Sequence, residues 1–419
     1  MAQGKPSDSR ASPYFFLSYA HNPPRKGDDP DRWVHQLYRD LCDDIINISA
    51  ASADSVGFMD REMQSGTEWQ RKVSDALGNC RVFVPLYSPR YFTSEWCGRE
   101  WYAFSRRTLE HTARNGNATP TIIPALWAAV DVAKLPEVAQ NIQFDHRAFG
   151  LHYSQEGFYG IMKLGRYRTD YKKAVLQLAR KIVEVAEGAR IEPMQFDELG
   201  TLPCSFGTEG ESENGRPRIR ITVAAPDRQT LPSGREPLYY GSSARDWKPF
   251  HPEAGLPLVN YAAQLASCLG FQSTISTLDG ELSIPDVSGE PGLFLVDAWG
   301  TLGAAERQRL QELDQHAESW VSIMVPWNRE DAETMEAEER LKESLQSTLS
   351  RMLGRVPPKY RMAGSGIPTL RAFGEMLPLL AYHVGRRYLR NASAHPPAGT
   401  APERPRLIGP VVEDSGGSA

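Results

Sequence analysis

Two uninterrupted apolar runs, "YFFLSYA" (14–20) and "RVFVPLYS" (81–88), do most to limit what this chain can fold into. A strand with one face in water alternates apolar and polar residues, so a run apolar at nearly every position belongs to a strand covered on both faces. Stretches with helical spacing separate these runs. "DRWVHQLYRDLCDDI" sets Trp33, Leu37, Leu41 and Ile45 along one stripe, and "TEWQRKVSDALGNC" does the same with Trp69, Val73, Ala76 and Leu77. "VGFMD" is a further short strand, "SEWCGREWYAFSRRTLE" a helix, "TPTIIPALW" a strand and "DYKKAVLQLARKIVEVAEG" a closing helix. Strands alternating with helices predict an open parallel sheet with helices on both sides.

The pattern then stops and restarts. Residues 191–216, rich in Gly, Ser, Glu and Pro, are expected to be a linker between a first domain over 13–190 and a second over 217–391. The second begins with "RIRITVAA", continues through "QSTIST", "GLFLVDAW" and "WVSIMVPW" with helices between, and repeats the element order of the first. A diverged structural repeat is expected, with a disordered tail at 392–419. Two domains also suit a length of 419 residues, more than one core normally serves.

A net charge of −5 gives no basic surface for phosphate backbones, so nucleic-acid binding is not expected. The five cysteines are odd in number, widely spaced and without a CxxC pair, which suggests neither a zinc site nor a disulfide framework and fits a reducing cytoplasm. The N-terminus "MAQGKPSDSR" lacks the apolar core of a signal peptide. "EMLPLLAYHVG" is about half the length of a membrane span, so no membrane partner is expected. No GxGxxG follows a strand and no GxxxxGK[ST] occurs. His21, His146 and His152 form no spaced metal motif.

In a parallel sheet, ligands gather beyond the carboxyl ends of the strands. Three segments meet there: the "FLSYA" exit of the first strand, the "FMDREMQSG" loop after the second, and the helix start after the third with Tyr91, Ser94, Trp96, Cys97 and Glu100. Together, in this order, they resemble the Toll/interleukin-1 receptor (TIR) domain, whose fold is a flavodoxin-like open sheet. The whole layout also resembles the TIR-like FxsC proteins of actinobacteria, found beside genes for peptide modification.

The resemblance implies an intracellular signalling or effector protein. It makes the first domain a candidate NAD+ glycohydrolase that releases nicotinamide, with NAD+ as substrate and no cofactor. Glu100 would be the catalytic carboxylate. Ser18, Tyr19, Ala20, Asp60, Arg61, Trp96 and Cys97 would line the substrate site. The chemistry suits one carboxylate: departing nicotinamide leaves positive charge on the ribose, which a preorganised anion stabilises, and the neutral leaving group needs no general acid. With Ser94 as N-cap, Glu100 sits within two turns of the helix start, where the dipole favours its charge. A partly exposed Glu100 is expected, with Trp96 on its face and a Glu95–Arg99 pair on another.

The plainer reading stands beside this one. A Trp–Cys–Glu cluster can cap and pack a helix start, leaving a non-catalytic TIR scaffold that works through protein contacts. Either way the resemblance implies self-association through TIR domains and an unidentified protein or peptide partner. Cys97 has no assignable His partner and reads as packing. In the second domain Asp297, Trp299 and Trp327 stand where a site would lie, but core aromatics and a helix cap are the plainer assignment.

Overall fold

The computed structural model describes residues 12–23, 29–60, 67–116, 120–142, 144–196, 198–206, 217–278 and 290–391. In the first unit the chain runs β1 (Phe15–Ser18), α1 (Arg32–Ile48), β2 (Gly57–Met59), α2 (Thr67–Asn79), β3 (Val82–Tyr87), α3 (Glu95–Asn115) and β4 (Ala125–Leu126). It closes with α4 (Glu137–Gln140), α5 (Leu151–Lys163) and α6 (Arg168–Gly188). The sheet order is β2-β1-β3-β4, all parallel, with Leu17 opposite both Met59 and Val84. Every residue of β1 and β3 is buried, as their uninterrupted apolar runs require. The chain order reverses between β1 and β3, which opens a crevice at their carboxyl ends.

The stripe of α1 that reaches the core is Val34, Leu37, Leu41 and Ile45; Trp33 is only half-buried. β4 is two residues long, although the sequence suggests a longer strand. Pro124 interrupts it by removing a ladder donor, and Ile122 is left as an isolated bridge to Phe83.

The second unit has β5 (Arg218–Ala224), α7 (Leu258–Cys268), β6 (Gln272–Thr277), β7 (Gly292–Val296), α8 (Ala304–His316) and β8 (Val321–Met324). Its parallel sheet has the order β6-β5-β7-β8, the same winding as the first. Residues 332–355 form three consecutive short helices, α9 (Ala332–Glu336), α10 (Glu338–Thr348) and α11 (Ser350–Arg355). The Asp314 carboxylate accepts from the Arg351 and Met352 amides at 3.0 and 2.7 Å, capping the last of these. The chain then forms α12 (Arg361–Ser365) and α13 (Leu370–Asn391).

Residues 191–206 do not behave as the free linker their composition suggests. Ile191, Met194, Phe196 and Leu199 are buried in the first core. The Arg107 guanidinium, itself buried, donates to the carbonyls of Ile191 and Glu192 at 2.9 and 2.7 Å and to those of Leu77 and Cys80 at 3.1 and 2.5 Å. One side chain thus satisfies the end of α2 and staples the following segment onto it. Further on, the Ser205 amide donates to the Gly98 carbonyl at 3.1 Å. The Cys204 sulfur lies so close to Gly98 that a Cβ there would be 2.2 Å from it. Residues 207–216 and the tail from 392 lie outside the described residues.

α3 serves both units. Cys97, Trp101 and Phe104 lie on one face and belong to the first core, whereas Tyr102 and Ala113 belong to the second, with Leu109 packed beside them. The spacings, i, i+4, i+7 on the first side and i, i+7, i+11 on the second, are those of two separate helical stripes. Arg106 pairs with Glu375 of α13 at 3.1 Å, and Arg114 with Glu253 at 2.9 Å.

Candidate active site

β1 and β3 end side by side, so Ser18 and the turn after Tyr87 share one edge of the sheet. A 3₁₀ turn over Tyr91–Thr93 follows β3, and Ser94 caps α3 by accepting from the Cys97 amide at 3.3 Å. This brings Glu100 back beneath the end of β1. Its Oε2 accepts from the Ser18 hydroxyl at 2.5 Å, and Ser18 Oγ lies 2.9 Å from the Tyr91 hydroxyl. Glu100 is only 3% exposed, Ser18 1% and Tyr91 0%. Among the described residues no Lys or Arg pairs with Glu100. Burial pushes its carboxyl up to about 8, against the lowering influence of the Ser18 hydrogen bond. The expectation of a partly exposed Glu100 is therefore corrected: among the described residues its side chain is almost wholly buried.

A second cluster ties the loops above together. His21 Nδ1 is 2.9 Å from Asp31 at the start of α1, and its Nε2 is 3.5 Å from Asp60 at the end of β2. Burial opposes a charged imidazole, but the two carboxylates outweigh it and raise His21 to about 9. Asp31 also accepts from the Asn22 amide and side chain, which with His21 overcomes its burial and lowers its pKa. Asp60 accepts from the Trp69 indole at 2.7 Å, and its carbonyl from the Tyr19 hydroxyl at 2.7 Å. Trp69 in turn packs on Trp96 with ring centres 4.9 Å apart. His21 is thus an imidazolium clamp joining the exits of β1 and β2 to α1.

A crevice of about 620 Å³ opens at the ends of β1, β3 and β4, lined by Ala20, Asn22, Ser88, Pro89, Arg90, Thr93 and Trp127. Of the residues expected to touch a substrate, Ala20 lines it. Ser18, Tyr19, Asp60, Trp96, Cys97 and Glu100 do not, and Arg61 lies outside the described residues. Cys97 is buried, and burial drives its thiol pKa well up, which leaves it a packing residue. Glu95 pairs with Arg99, as their spacing suggests. Arg90 and Trp127 are among the six lining residues that pattern reading did not place in the site. Arg90 follows directly on the strand exit, a position that topology marks in the sequence. Trp127 directly follows the short β4.

The corresponding edge of the second sheet is filled from within. Arg235 pairs with Asp331 at 2.7 Å, donates to the Tyr240 hydroxyl at 3.0 Å, and lies over the rings of Tyr239 and Trp299. Tyr240 donates to Asp297 at 2.6 Å, and Asp297 caps the turn at Trp299. The space left there is about 10 Å³, too small for a ligand. Among the described residues no group of His, Cys, Asp or Glu is arranged to hold a metal.

The sheet order, the crevice at its switch point and the buried carboxylate beside it define a flavodoxin-like α/β domain with a ligand-type edge. The family model of the TIR domain matches residues 15–156, about a third of the chain, and over that span the first unit is similar to that family. No curated protein matches the chain. A TIR domain places the chain with signalling and effector proteins, and such domains commonly self-associate. Among the described residues no helix is long and apolar enough to cross a membrane.

Proposed function

We propose that this is a TIR effector whose first domain cleaves the N-glycosidic bond of NAD+, and that the structure is its closed resting form. The observation that carries the reading is Glu100: a buried carboxyl with no Lys or Arg partner among the described residues, at the edge where α/β sheets take ligands. A core strut gains nothing from such a group, because burying an unpaired carboxyl costs more than an apolar side chain of similar size. The crevice beside it suits a dinucleotide. The Arg90 guanidinium matches a pyrophosphate, and Trp127 offers a ring face. Opening is needed before Glu100 meets a ribose, which assigns activation to self-association or to the second domain gripping α3. The FxsC-like layout, a cytoplasmic setting and a role beside peptide modification are parts of the same proposal.

A second reading is favoured by one specific contact. The short Ser18–Glu100 hydrogen bond braces β1 against α3, as it would in a non-catalytic scaffold. Incubating the full chain with NAD+, as monomer and under assembly-promoting conditions, separates the two. Nicotinamide release that Glu100→Gln abolishes supports the enzyme. No release in any assembly state supports the scaffold.

A further inference from the structure

We propose that the Ser18 and Tyr91 hydroxyls form a positioning pair that holds Glu100 ready to ionise. The inference deepens the reading above, since it rests on Glu100 as the working carboxylate, but its test does not depend on turnover.

Counting protons in this sealed space separates the two charge states. Ser18 and Tyr91 each carry one hydroxyl proton. When Glu100 is ionised, Ser18 donates to its Oε2 and Tyr91 donates to Ser18, so both protons are used and every donor has an acceptor. When Glu100 is protonated, three protons share the same two contacts. If the chain reverses, the Tyr91 hydroxyl is left without an acceptor among the described residues. If it does not reverse, either the Glu100 proton is stranded or the Ser18 proton turns to the weakly accepting Cys97 sulfur. All three side chains are almost completely buried, so solvent does not satisfy the orphan. The hydroxyl chain therefore selects the carboxylate, while burial selects the acid.

Other titratable groups around Glu100 come from each neighbouring element. Asp60 at the end of β2 raises its pKa, whereas His21 beyond β1 lowers it, so the two oppose each other. Tyr19, Tyr91 and Cys97 have pKa values raised by burial, which keeps them neutral through the range where Glu100 titrates. The Trp96 indole also lowers the Glu100 pKa, so the hydroxyls share with it the selective contribution that is left over. Ser18 acts by donating directly. Tyr91 acts by polarising Ser18, a smaller effect.

The test is an infrared titration of the full chain from about pH 5 to about pH 10, following the stretch of the protonated carboxyl, with Glu100→Gln to assign the band. The expected midpoint lies near 8 in the wild type. Ser18→Ala should lower the ionised fraction at a given pH by about tenfold, and Tyr91→Phe by about threefold, since hydrogen bonds to a carboxylate favour its charge. Tyr91→Phe keeps the ring and its packing, so it remains informative if Ser18→Ala fails to fold. A merely structural role would change the melting temperature and leave the midpoint where it was. Unchanged midpoints in the folded variants, or a wild type with no Glu100 band at any pH, would overturn the proposal. Absence of NAD+ cleavage would instead overturn the function proposed above and leave this result standing.

Discussion

At Glu100 two forces compete, and the burial that raises its pKa from 4.5 to about 8 makes stability depend on pH. The folded protein holds this proton more tightly than the unfolded chain does, so stability is full below about pH 4.5 and falls as pH rises through about 8. His21 acts in the same direction over a later window. Its charged clamp is fully favourable below 6.5 and is lost as pH rises through about 9. Glu100→Gln keeps the size and the acceptor for Ser18 but removes the ionisation. It should leave the melting temperature little changed near pH 5 and raise it near pH 8, because each tenfold difference in proton affinity between folded and unfolded chain is worth about 1.4 kcal/mol. Thermal melts of both proteins across that range check this, and equal slopes would refute it. Glu100 was legible in the sequence because its neighbours Ser94, Trp96 and Cys97 are local to it. His21 was not, because its meaning depends on Asp31 and Asp60 arriving from two other elements. Tyr91 stood in the same motif, but its link to Ser18 spans 73 positions and exists only once β1 and β3 are paired.

α3 explains how one element carries the site and the contact between units. A helix with one apolar stripe leaves its other face to water, yet here both faces are covered and Arg106, Arg107 and Glu110 are buried. Arg107 shows why a buried arginine is tolerated: each of its three nitrogens donates to a backbone carbonyl. Arg107→Met should destabilise the protein by at least about 3 kcal/mol, because four carbonyls lose a charged donor at once. Chemical denaturation measures this, and a change within experimental scatter would show that the staple is dispensable. The sequence suggested the start of α3 and its Ser94 cap, since both are written in local residue types, but placed its end at Glu110, five residues short of Asn115. It did not reveal α5, where Gly157 breaks the helical backbone with φ of 67° to let the Trp127 carbonyl approach, or the packed course of residues 191–206. Polar, glycine-bearing composition reads as linker. Only the tertiary contacts of Ile191, Met194 and Leu199 reverse that.

At the scale of the whole molecule, two sheets of identical winding have taken different paths. The first keeps an open edge with Arg90 and Trp127 along it, whereas the second has closed its edge around Arg235. The second unit instead grips the outer face of α3 through Tyr102, Arg106 and Arg114. Tyr102→Ala should cost about 3 kcal/mol and separate one cooperative calorimetric transition into two, because the ring belongs to the core of the neighbouring unit. A single, unshifted transition would contradict a coupling through this helix. If that grip holds the site closed, the same substitution should also raise any NAD+ cleavage. The most direct test of the central claim remains the carboxylate itself: nicotinamide released from NAD+ by the full chain, wild type against Glu100→Gln, under conditions that promote assembly. Removing one preorganised charge from the ribose cation should cut release by two to three orders of magnitude, about 3–4 kcal/mol. Equal release by the two proteins, or none from the wild type in any assembly state, would contradict the account.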